Sequence, residues 1–333
     1  EIASCLVGSE MCIRDRCAII LAEDGLVWNM RILNDGPLGR KYGYSEVASS
    51  SAPAKIVDAL KVIDKKRPIA LIPTMGNLHE GHLSLVKQSI NLQLSPLVTI
   101  FINPLQFGPN EDFETYPRTI KQDKENLEKQ KCEFLFLPEK SELLEGIKKL
   151  KAPYSNFLCG KKRPGHFDGV ITIVNRFLEL IKPEYCFFGQ KDFQQQLIIH
   201  NHLKENKLPT KLVVGETVRD ANGLALSSRN NYLTQNEKKD ASIIYKYLKE
   251  IADQLRQVRS DFSKDLSVSA LMICEEYKNK FEDKGFEIDY LEIINAKNLE
   301  KSKKDDTDLL IAIAAHFKGV RLIDNLPCDL SFS

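Results

Sequence analysis

The chain has 333 residues, of which 43% are hydrophobic and 28% are charged. This composition is typical of a folded globular protein and excludes a disordered chain, and the length predicts two domains, although a single large domain would also fit. Because 47 basic residues nearly balance 46 acidic ones, no global field would attract nucleic acid or an anionic membrane. We therefore expect no nucleic-acid or membrane partner, and any bound anion must be met by local groups.

The cysteines and the apolar runs indicate the cellular compartment. The eight cysteines are scattered without a C-x-x-C pair, which argues against a zinc ribbon and against a small disulfide framework. No apolar run approaches the roughly twenty residues that a membrane-spanning helix needs, and "CAIILA" (17–22) is too short for the core of a signal peptide. The expected state is a cytoplasmic protein with reduced thiols.

Residues 1–52 form an N-terminal segment to which the sequence assigns no role. Its opening stretch, "EIASCLVGSEMCIRDR", shows no helical or strand period. The part "SEMCIRDR" resembles translated sequencing-adapter sequence, and our hypothesis is that the segment is foreign to the protein. An intact mass of natively expressed protein that includes the segment would refute this hypothesis.

From residue 53 onward, short apolar runs alternate with segments of helical period, such as Leu83, Val86 and Ile90. Alternation of this kind predicts βαβ units around a mainly parallel sheet. We therefore expect a Rossmann-like α/β domain over residues 53–217. The predicted strands are 69–72, 97–102, 134–137, 185–188 and 211–214.

After about residue 217 the pattern changes to long charged helical stretches followed by further apolar runs. This change predicts a smaller α+β C-terminal domain over residues 218–330. The lysine-rich "KNLEKSKKDD" (297–306) is most simply a solvated surface loop. The helical stretches are 236–257 and 265–283, and the apolar runs are 288–294, 309–317 and 320–325.

The stretch "PTMGNLHEGHLS" places His79 and His82 three positions apart, directly after the first predicted strand of the 53–217 region. A zinc-protease helix needs histidines four positions apart, so this spacing argues against zinc. One alternative is that both rings only cap or pack the strand-to-helix turn. In a parallel sheet, however, ligands bind beyond the carboxyl ends of the strands, where a helix N-terminus offers N–H groups to anions. Because Gly76 and Gly81 also allow close backbone approach, we interpret the pair as phosphate-binding groups.

Three further motifs carry polar side chains after other predicted strands. "FINPLQFG" brings the amides of Asn103 and Gln106 to the same sheet edge, where they suit hydroxyl and carboxylate groups. "FGQKDFQQQ" offers Lys191 to a phosphate and Asp192 to ribose hydroxyls. "LSSRN" offers Arg229, which can bind phosphate oxygens bidentately. Each of these motifs, taken alone, is more often an ordinary surface loop.

Taken together, the motifs resemble one known family. "PTMGNLHEGH", "FINPLQFGPNEDFETYPRT", "RPGHFDGV", "FGQKDFQQ", "LALSSRN" and "RLIDN" occur in this order. Over about residues 53–330 the chain resembles the pantoate:beta-alanine ligases, which belong to the nucleotidyltransferase superfamily with the H-x-G-H signature. The resemblance implies ATP-dependent condensation of (R)-pantoate with beta-alanine to pantothenate through a pantoyl adenylate, with release of AMP and pyrophosphate, in coenzyme A biosynthesis.

Two alternatives remain beside that interpretation. A nucleotidyltransferase acting on a phosphorylated acceptor would need basic residues for the acceptor phosphate, whereas Gln106 and Gln195 are neutral. A non-catalytic nucleotide-binding module would be expected to lack a histidine or lysine of the motifs, and here each of those positions is filled.

The resemblance also implies roles for residues at matching positions. Gln106 would bind both pantoate and beta-alanine, and Gln195 would bind pantoate. We expect His82 to be the proton donor, because the ordinary pKa of histidine lies near the working pH. The implied catalytic residues are His82, His79, Lys191 and Arg229. The implied ATP-binding residues are Met75, Gly76, Asn77, Leu78, His79, Glu80, Gly81, His82, Gly189, Gln190, Lys191, Asp192, Val218, Leu226, Ser227, Ser228 and Arg229.

The resemblance, and one departure from it, also predict the residues at the mouth of the site, the binding of magnesium and the assembly of the chain. The resemblance places Arg163 and His166 of "RPGHFDGV" near the mouth of the site, and it implies a homodimer. Many relatives carry two acidic residues where this chain has Gln122 and Asp123. We therefore expect no protein metal ligand, and a Mg²⁺ ion held mainly by the ATP phosphates. The remaining histidines, which match no motif and are interpreted as structural, are His200, His202 and His316.

Overall fold

The structure is a computed structural model that describes residues 31–33, 67–109, 111–261 and 263–331, without the side chains of 31–33 and 142. Apart from residues 31–33, the segment 1–52 lies outside the described residues, so its foreign origin stays a hypothesis. Within the described part, a parallel sheet with helices on both faces is followed by a smaller antiparallel sheet with its own helices.

The first sheet has six strands, and all of their pairings are parallel. Its strands are β1 (Arg31–Leu33), β2 (Ile69–Thr74), β3 (Ser95–Ile100), β4 (Phe134–Phe136), β5 (Tyr185–Gly189) and β6 (Lys211–Gly215). The order is β1-β4-β3-β2-β5-β6, so the chain changes direction across the sheet between β2 and β5. Such a switch point opens a crevice at the carboxyl ends of these two strands. The five strands predicted from sequence are confirmed, whereas β1 was not predicted.

Helices cover both faces of this sheet because alternate strand residues point to opposite sides. Ile69 and Leu71 pack with Ile171, whereas Ala70 and Ile72 join a second core on the other face. The helices are α1 (Glu80–Asn91), α2 (Ile120–Lys129), α3 (Lys140–Leu144), α4 (Leu158–Lys162), α5 (His166–Ile181) and α6 (Phe193–Glu205). Helices α1 and α2 contribute to the second core, and α5 and α6 contribute to the first.

The C-terminal part contains α7 (Gln235–Ala241), α8 (Ile243–Ser260), α9 (Leu266–Glu282), β7 (Glu287–Asn295), β8 (Asp308–Phe317) and β9 (Val320–Asp329). The strands form an antiparallel sheet in the order β7-β8-β9. Helix α8 is amphipathic, and its buried face, which includes Leu248 and Ile251, shares a core with Ile311 and Ile313 of β8. The predicted α+β character is confirmed, and the boundary at residue 217 stays a prediction.

The two sheets meet at the carboxyl end of β5. Asn325 on β9 donates from Nδ2 to the carbonyls of Gln190 (3.1 Å) and Lys191 (2.8 Å), and its Oδ1 accepts from Gln190 Nε2 (3.1 Å). These contacts fix the turn after β5 against the smaller sheet, so the crevice at the switch point continues into a cleft between the two sheets. No helix of the described residues is long and apolar enough to span a membrane.

Candidate active site

His79 and His82 form a reciprocal capping box at the start of α1. His79 is the N-cap, and its Nδ1 accepts a hydrogen bond from the Gly81 N–H (3.1 Å). His82 lies at the third helical position, and its Nδ1 accepts from the His79 N–H (3.3 Å). A capping box requires this spacing, since each side chain must reach the backbone of the other residue. The rings therefore do cap the turn, as the alternative interpretation of the pair held.

The capping box also fixes which nitrogen of each ring faces the crevice. Because both Nδ1 atoms accept, each neutral ring carries its proton on Nε2. Burial lowers the pKa of His79 to about 4, with a further lowering by Lys191 that Asp192 opposes. Burial, then His79 and Lys191, lower the pKa of His82 to about 3. Both rings are thus neutral at pH 7 and offer Nε2–H donors. The pKa of His82 lies well below the ordinary histidine value from which its role as proton donor was argued, and that role stays a prediction.

Gly81 is required by the same geometry. A Cβ at this position would lie 2.8 Å from Cε1 and 2.9 Å from Nδ1 of His79. The two imidazole rings lie with their centroids 4.1 Å apart, so the first ring has little room to move toward the second. In the H-x-G-H motif the histidines close the box, and the glycine leaves space for the first ring.

Asp123 on α2 holds the turn that precedes the histidines. Its carboxylate is buried, with Oδ1 accepting from the Leu78 N–H (2.7 Å) and Oδ2 from the Asn77 N–H (3.0 Å). The Thr119 hydroxyl also donates to Oδ2 (3.1 Å). Burial raises the pKa of Asp123, although these three hydrogen bonds oppose the rise. From the sequence we assigned this carboxylate no metal, and in the structure it fixes the backbone of the turn.

Asn103 and Gln106 lie at the same crevice as the histidines, at the end of β3. Asn103 Nδ2 donates to Gln106 Oε1 (3.0 Å) and to the Gly169 carbonyl (3.0 Å), and its Oδ1 accepts from the Leu105 N–H (3.0 Å). Gln106 Nε2 contacts Met75 Sδ (3.1 Å). Asn103 is therefore engaged within the protein and orients Gln106, which is the amide available to a ligand.

The crevice brings together most of the residues that the sequence predicted for ATP and pantoate. Its wall includes Met75, His79, Gly81, His82, Gln106, Gly189, Lys191, Asp192, Gln195, Val218, Leu226, Ser227, Ser228 and Arg229. A second cavity of about 580 Å³ extends toward β8 and β9 and shares Lys191, Asp192, Gln195, Ser227 and Arg229 with the crevice. The shared residues join the two spaces into one site between the sheets.

The other predicted ATP-binding residues do not line the wall of this crevice. Leu78 belongs to the core behind α1, and Glu80 is exposed and pairs with Lys87. The Gln190 side chain bonds Asn325. Gly76 and Asn77 form the turn that Asp123 holds, and their contribution is through the backbone.

The loop at residues 226–230 has one hydrogen bond within itself and contacts two segments that follow strands of the first sheet. Ser227 Oγ accepts from the Arg229 N–H (3.3 Å), and Ser228 Oγ donates to the Asn77 carbonyl (3.2 Å). Arg229 binds the Asp112 carboxylate through Nε (3.2 Å) and Nη2 (2.8 Å). The loop therefore sits directly against the histidine turn.

Arg163 and His166 line the crevice and form a second set of contacts there, and their place at its mouth stays a prediction. Arg163 binds Glu111 through Nε and Nη2, both at 2.6 Å, and its Nη1 lies 2.9 Å from His166 Nε2. His166 Nδ1 lies 2.8 Å from the Gln106 carbonyl. Glu111 and Asp112 are thus contact residues of the site that sequence reasoning missed, although both lie inside one of the family motifs.

The side chains that could bind a metal ion at the cleft are few among the described residues. Within residues 67–109, 111–261 and 263–331, no group of three or more His, Cys, Asp or Glu could hold a metal. Gln122 is exposed and donates to Asn126 (3.2 Å), and both oxygens of Asp123 are occupied by the turn. Among the described residues, Asp192 is the carboxylate that lines both cavities. A magnesium ion would fit here only with most of its ligands from ATP and water.

The histidines outside the motifs have different surroundings. His202 Nε2 lies 2.8 Å from Asn175 Oδ1, between two helices, and His200 is exposed on α6. His316 lines the larger cavity, with Nε2 3.8 Å from Asp289 Oδ1. The structural interpretation of these residues stays a prediction.

Comparison with known proteins gives the same family at the level of sequence. The profile of the family described as "Pantoate-beta-alanine ligase" matches residues 47–327. The pantothenate synthetase of Acinetobacter baumannii is 40% identical over 265 residues, which cover 78% of this chain and 90% of that protein. The pantothenate synthetase of Hahella chejuensis is 42% identical over 267 residues, covering 79% and 92%.

Solved structures extend the likeness to the fold. Pantothenate synthetase from Thermus thermophilus matches with a TM-score of 0.73 and 32% identity, covering 82% of this chain and 98% of that chain. The pantoate-beta-alanine ligase from Francisella tularensis, complexed with beta-gamma ATP and beta-alanine, matches with a TM-score of 0.65 and 31% identity, covering 82% and 96%. Since the profile spans most of the chain and the relatives match over nearly their whole length, this chain belongs to the pantoate-beta-alanine ligase family.

Proposed function

We propose that this chain condenses (R)-pantoate with beta-alanine to pantothenate at the expense of ATP, which it converts to AMP and pyrophosphate. The observation that carries the proposal is the meeting of three kinds of group at one sheet edge. Imidazole Nε2–H donors and the cations Lys191 and Arg229 suit phosphate oxygens, and the neutral amides Gln106 and Gln195 suit the hydroxyl and carboxylate groups of the small substrates.

The first step is adenylation of pantoate. A carboxylate oxygen of pantoate attacks the α-phosphorus of ATP, the bond from that phosphorus to the bridging oxygen breaks, and pyrophosphate leaves with the electron pair. Negative charge grows on the phosphate oxygens during this displacement, and preorganised donors lower its energy. His79 and His82 supply two such donors, and Lys191 and Arg229 supply positive charge at the same wall of the crevice.

The second step is transfer of the acyl group. The neutral amine of beta-alanine attacks the acyl carbon of pantoyl adenylate, and the carbon–oxygen bond to AMP breaks. The amine nitrogen releases one proton to solvent as the amide forms. No protein nucleophile is required, so the site acts by positioning and by charge stabilisation. In this proposal Gln106 and Gln195, which both line the crevice, hold the two small substrates.

The low pKa values of the two histidines define how they act. A neutral imidazole that keeps its proton on Nε2 is a hydrogen-bond donor to phosphate throughout the physiological range. A phosphate anion at Nε2 would favour the protonated ring, so the pKa of His82 would rise when ATP binds. We therefore assign His79 and His82 as donors to phosphate oxygens, and the same effect would raise the pKa of both rings when ATP binds.

Magnesium, dimerisation and location complete the proposal. Mg²⁺ would neutralise charge on the ATP phosphates, and Asp192, which lines both cavities, is a carboxylate that could contact the ion or its waters. The family resemblance supports assembly as a homodimer, and the scattered cysteines and short apolar runs support location in the cytoplasm. Light scattering on the purified chain measures the assembly, and a mass of one chain would contradict the dimer.

The alternative nucleotidyltransferase reaction is less well supported. A phosphorylated acceptor needs a free cation beside Gln106, and Arg163, which is linked to Gln106 through His166, is held by Glu111 and His166. The observed products separate the two reactions, because transfer of AMP to such an acceptor gives a dinucleotide product in place of free AMP.

AMP release tests the proposal directly. Purified protein is incubated with Mg-ATP and (R)-pantoate, with and without beta-alanine, and AMP is measured for the wild type, His82→Ala and His202→Ala. We expect AMP only when both substrates are present, loss of the signal in His82→Ala, and wild-type behaviour in the control His202→Ala. AMP formation that does not depend on beta-alanine would be consistent with adenylation but would refute beta-alanine as the acceptor. A dinucleotide product would establish the nucleotidyltransferase reaction.

A further inference from the structure

Two adjacent carboxylates, Glu111 and Asp112, each bind one arginine of the site along one edge of its guanidinium group. Glu111 accepts from Nε and Nη2 of Arg163, both at 2.6 Å. Asp112 accepts from Nε (3.2 Å) and Nη2 (2.8 Å) of Arg229. Such two-point pairs fix the plane of the guanidinium as well as its position. A single short segment therefore orients two arginines that come from distant parts of the chain.

The segment that carries these carboxylates is anchored by aromatic packing. The ring of Phe107 contacts Phe113 edge to face, with centroids 5.3 Å apart, and contacts Tyr116 at 5.9 Å. Tyr116 is buried, which raises the pKa of its hydroxyl, and the Ser228 side chain opposes that rise. The two carboxylates thus stand between anchored rings, and the same segment also contacts the loop that carries Arg229.

The Asp112 pair leaves the rest of Arg229 available to a ligand. Asp112 occupies the Nε and Nη2 edge, which leaves the Nη1 donors free of it, and Arg229 lines both cavities. The Arg229 side chain is 35% exposed and that of Asp112 is 26% exposed, so solvent weakens the attraction between the charges. The contribution of the pair is therefore mainly to orientation, because it fixes the plane of the Arg229 guanidinium at the wall that both cavities share.

The pair of Glu111 with Arg163 is connected through His166 to Gln106. Arg163 Nη1 donates to His166 Nε2 (2.9 Å), and His166 Nδ1 then donates to the Gln106 carbonyl (2.8 Å). Burial and Arg163 lower the pKa of His166 to about 4, although the bond to Gln106 opposes the shift. His166 is therefore neutral, with its proton on Nδ1. The contacts form a continuous chain from Glu111 to the backbone of Gln106.

We propose that Glu111 and Asp112 are positioning residues that act on different substrates. Asp112 sets Arg229 for the phosphates of ATP, and Glu111 sets Gln106, through Arg163 and His166, for pantoate and beta-alanine. The assignment rests on the proposed function, since it takes the substrates from it. In this assignment the two adjacent carboxylates of "FGPNEDFETYP" act at different ends of one active site.

The test is a comparison of Asp112→Asn with Glu111→Gln, which keep the shape and remove the charge. The new amide can accept one N–H, but its NH₂ group faces the other donor of the arginine, so the two-point pair is lost. We expect Asp112→Asn to raise the KM for ATP about tenfold and to leave the KM for pantoate within about twofold. Glu111→Gln should show the reverse pattern, and the control Glu276→Gln, an exposed partner of Lys280, should match the wild type.

Three outcomes would overturn the assignment. Equal effects of both variants on all substrates would show a general structural role, and wild-type values in both would show none. A lower KM for ATP in Asp112→Asn would show that Asp112 competes with the phosphates for Arg229.

A double-mutant cycle separates positioning from folding. If Asp112 acts through Arg229, Asp112→Asn should have no further effect in an Arg229→Ala background, and Glu111→Gln should have none in an Arg163→Ala background. If the fold-changes in KM of the two substitutions multiply in the double variant, the assignment is overturned. Asp112→Glu keeps the charge and should bind ATP more tightly than Asp112→Asn. If the loss came from a folding defect, keeping the charge would not restore the affinity.

Calorimetric binding of a non-hydrolysable ATP analogue keeps the inference separate from the proposed function. If the wild type forms no AMP, the proposed ligase reaction fails, yet weaker analogue binding by Asp112→Asn would still support the ATP half of the assignment. Equal or tighter binding by the variant would overturn that half whatever the reaction is.

Discussion

Replacing Asp123 by asparagine tests how strongly one buried carboxylate holds the histidine turn. Asp123 accepts from the N–H groups of Leu78 (2.7 Å) and Asn77 (3.0 Å) on separate oxygens. Asparagine keeps one oxygen and turns an NH₂ group toward the other N–H, which leaves a buried donor unpaired. An unpaired buried donor costs about 1–3 kcal/mol. Because the neutral amide also avoids the burial cost of a charge, we expect a net loss of about 2 kcal/mol.

The effect of Asp123→Asn on catalysis should exceed the effect on folding. A shift of about 1 Å in a reacting group can lower the rate about a hundredfold, and the turn directly precedes both imidazoles. We expect kcat/KM for ATP to fall roughly tenfold to a hundredfold. Urea unfolding followed by circular dichroism gives the free energy, and AMP release gives the rate. Gln122→Ala is the matched control, because its side chain is exposed on the same helix.

The reasoning would be refuted by an Asp123→Asn protein that unfolds like the wild type and keeps its kcat/KM. A protein that loses stability but keeps full activity would refute only the second half, since the turn would then hold the histidines without this carboxylate.

Three further predictions follow from the same contacts. Gly81→Ala should lower kcat/KM for ATP about tenfold, because the new Cβ displaces the His79 ring; unchanged kinetics would contradict this. Folding lowers the pKa of His82 from an ordinary value of 6.5 to about 3, so the unfolded chain binds more protons than the folded chain between these pH values. The free energy of unfolding in urea should therefore drop more steeply from about pH 6.5 to about pH 4 in the wild type than in His82→Gln. Parallel curves for the two proteins would contradict this prediction. Arg219→Ala leaves the buried Asp324 carboxylate without its bidentate partner (2.6 and 3.0 Å), so we expect a loss of about 3 kcal/mol that Asp324→Asn partly restores.

Much of the fold was predictable because it depends on periodic burial. The strands of the first sheet are short apolar runs, and the buried face of α8 repeats at helical spacing. These signals are local, so they can be read without knowing what each segment contacts. Strand β1 was missed because its three residues carry no alternation long enough to distinguish them.

The residues that hold the site in place were not predictable in the same way. Asp123 contacts the turn across 46 positions of sequence, and Asn325 contacts Lys191 across 134. Both lie in or next to motifs that carry the family resemblance, yet a motif does not state its partner. Their roles depend on which segments the fold brings together, and this information is absent from spacing and composition.

The histidine capping box shows why this motif uses imidazoles. A capping box of serine or threonine with glutamate would close the same turn, but its oxygens would be occupied by the backbone or would repel a phosphate. An imidazole has two nitrogens on opposite sides of a rigid ring. In His79 and His82 one nitrogen accepts from the backbone, which fixes the ring, and the other keeps its proton. Capping and phosphate binding are therefore consequences of one arrangement, because the bond that caps the helix also sets the tautomer that can donate to a phosphate.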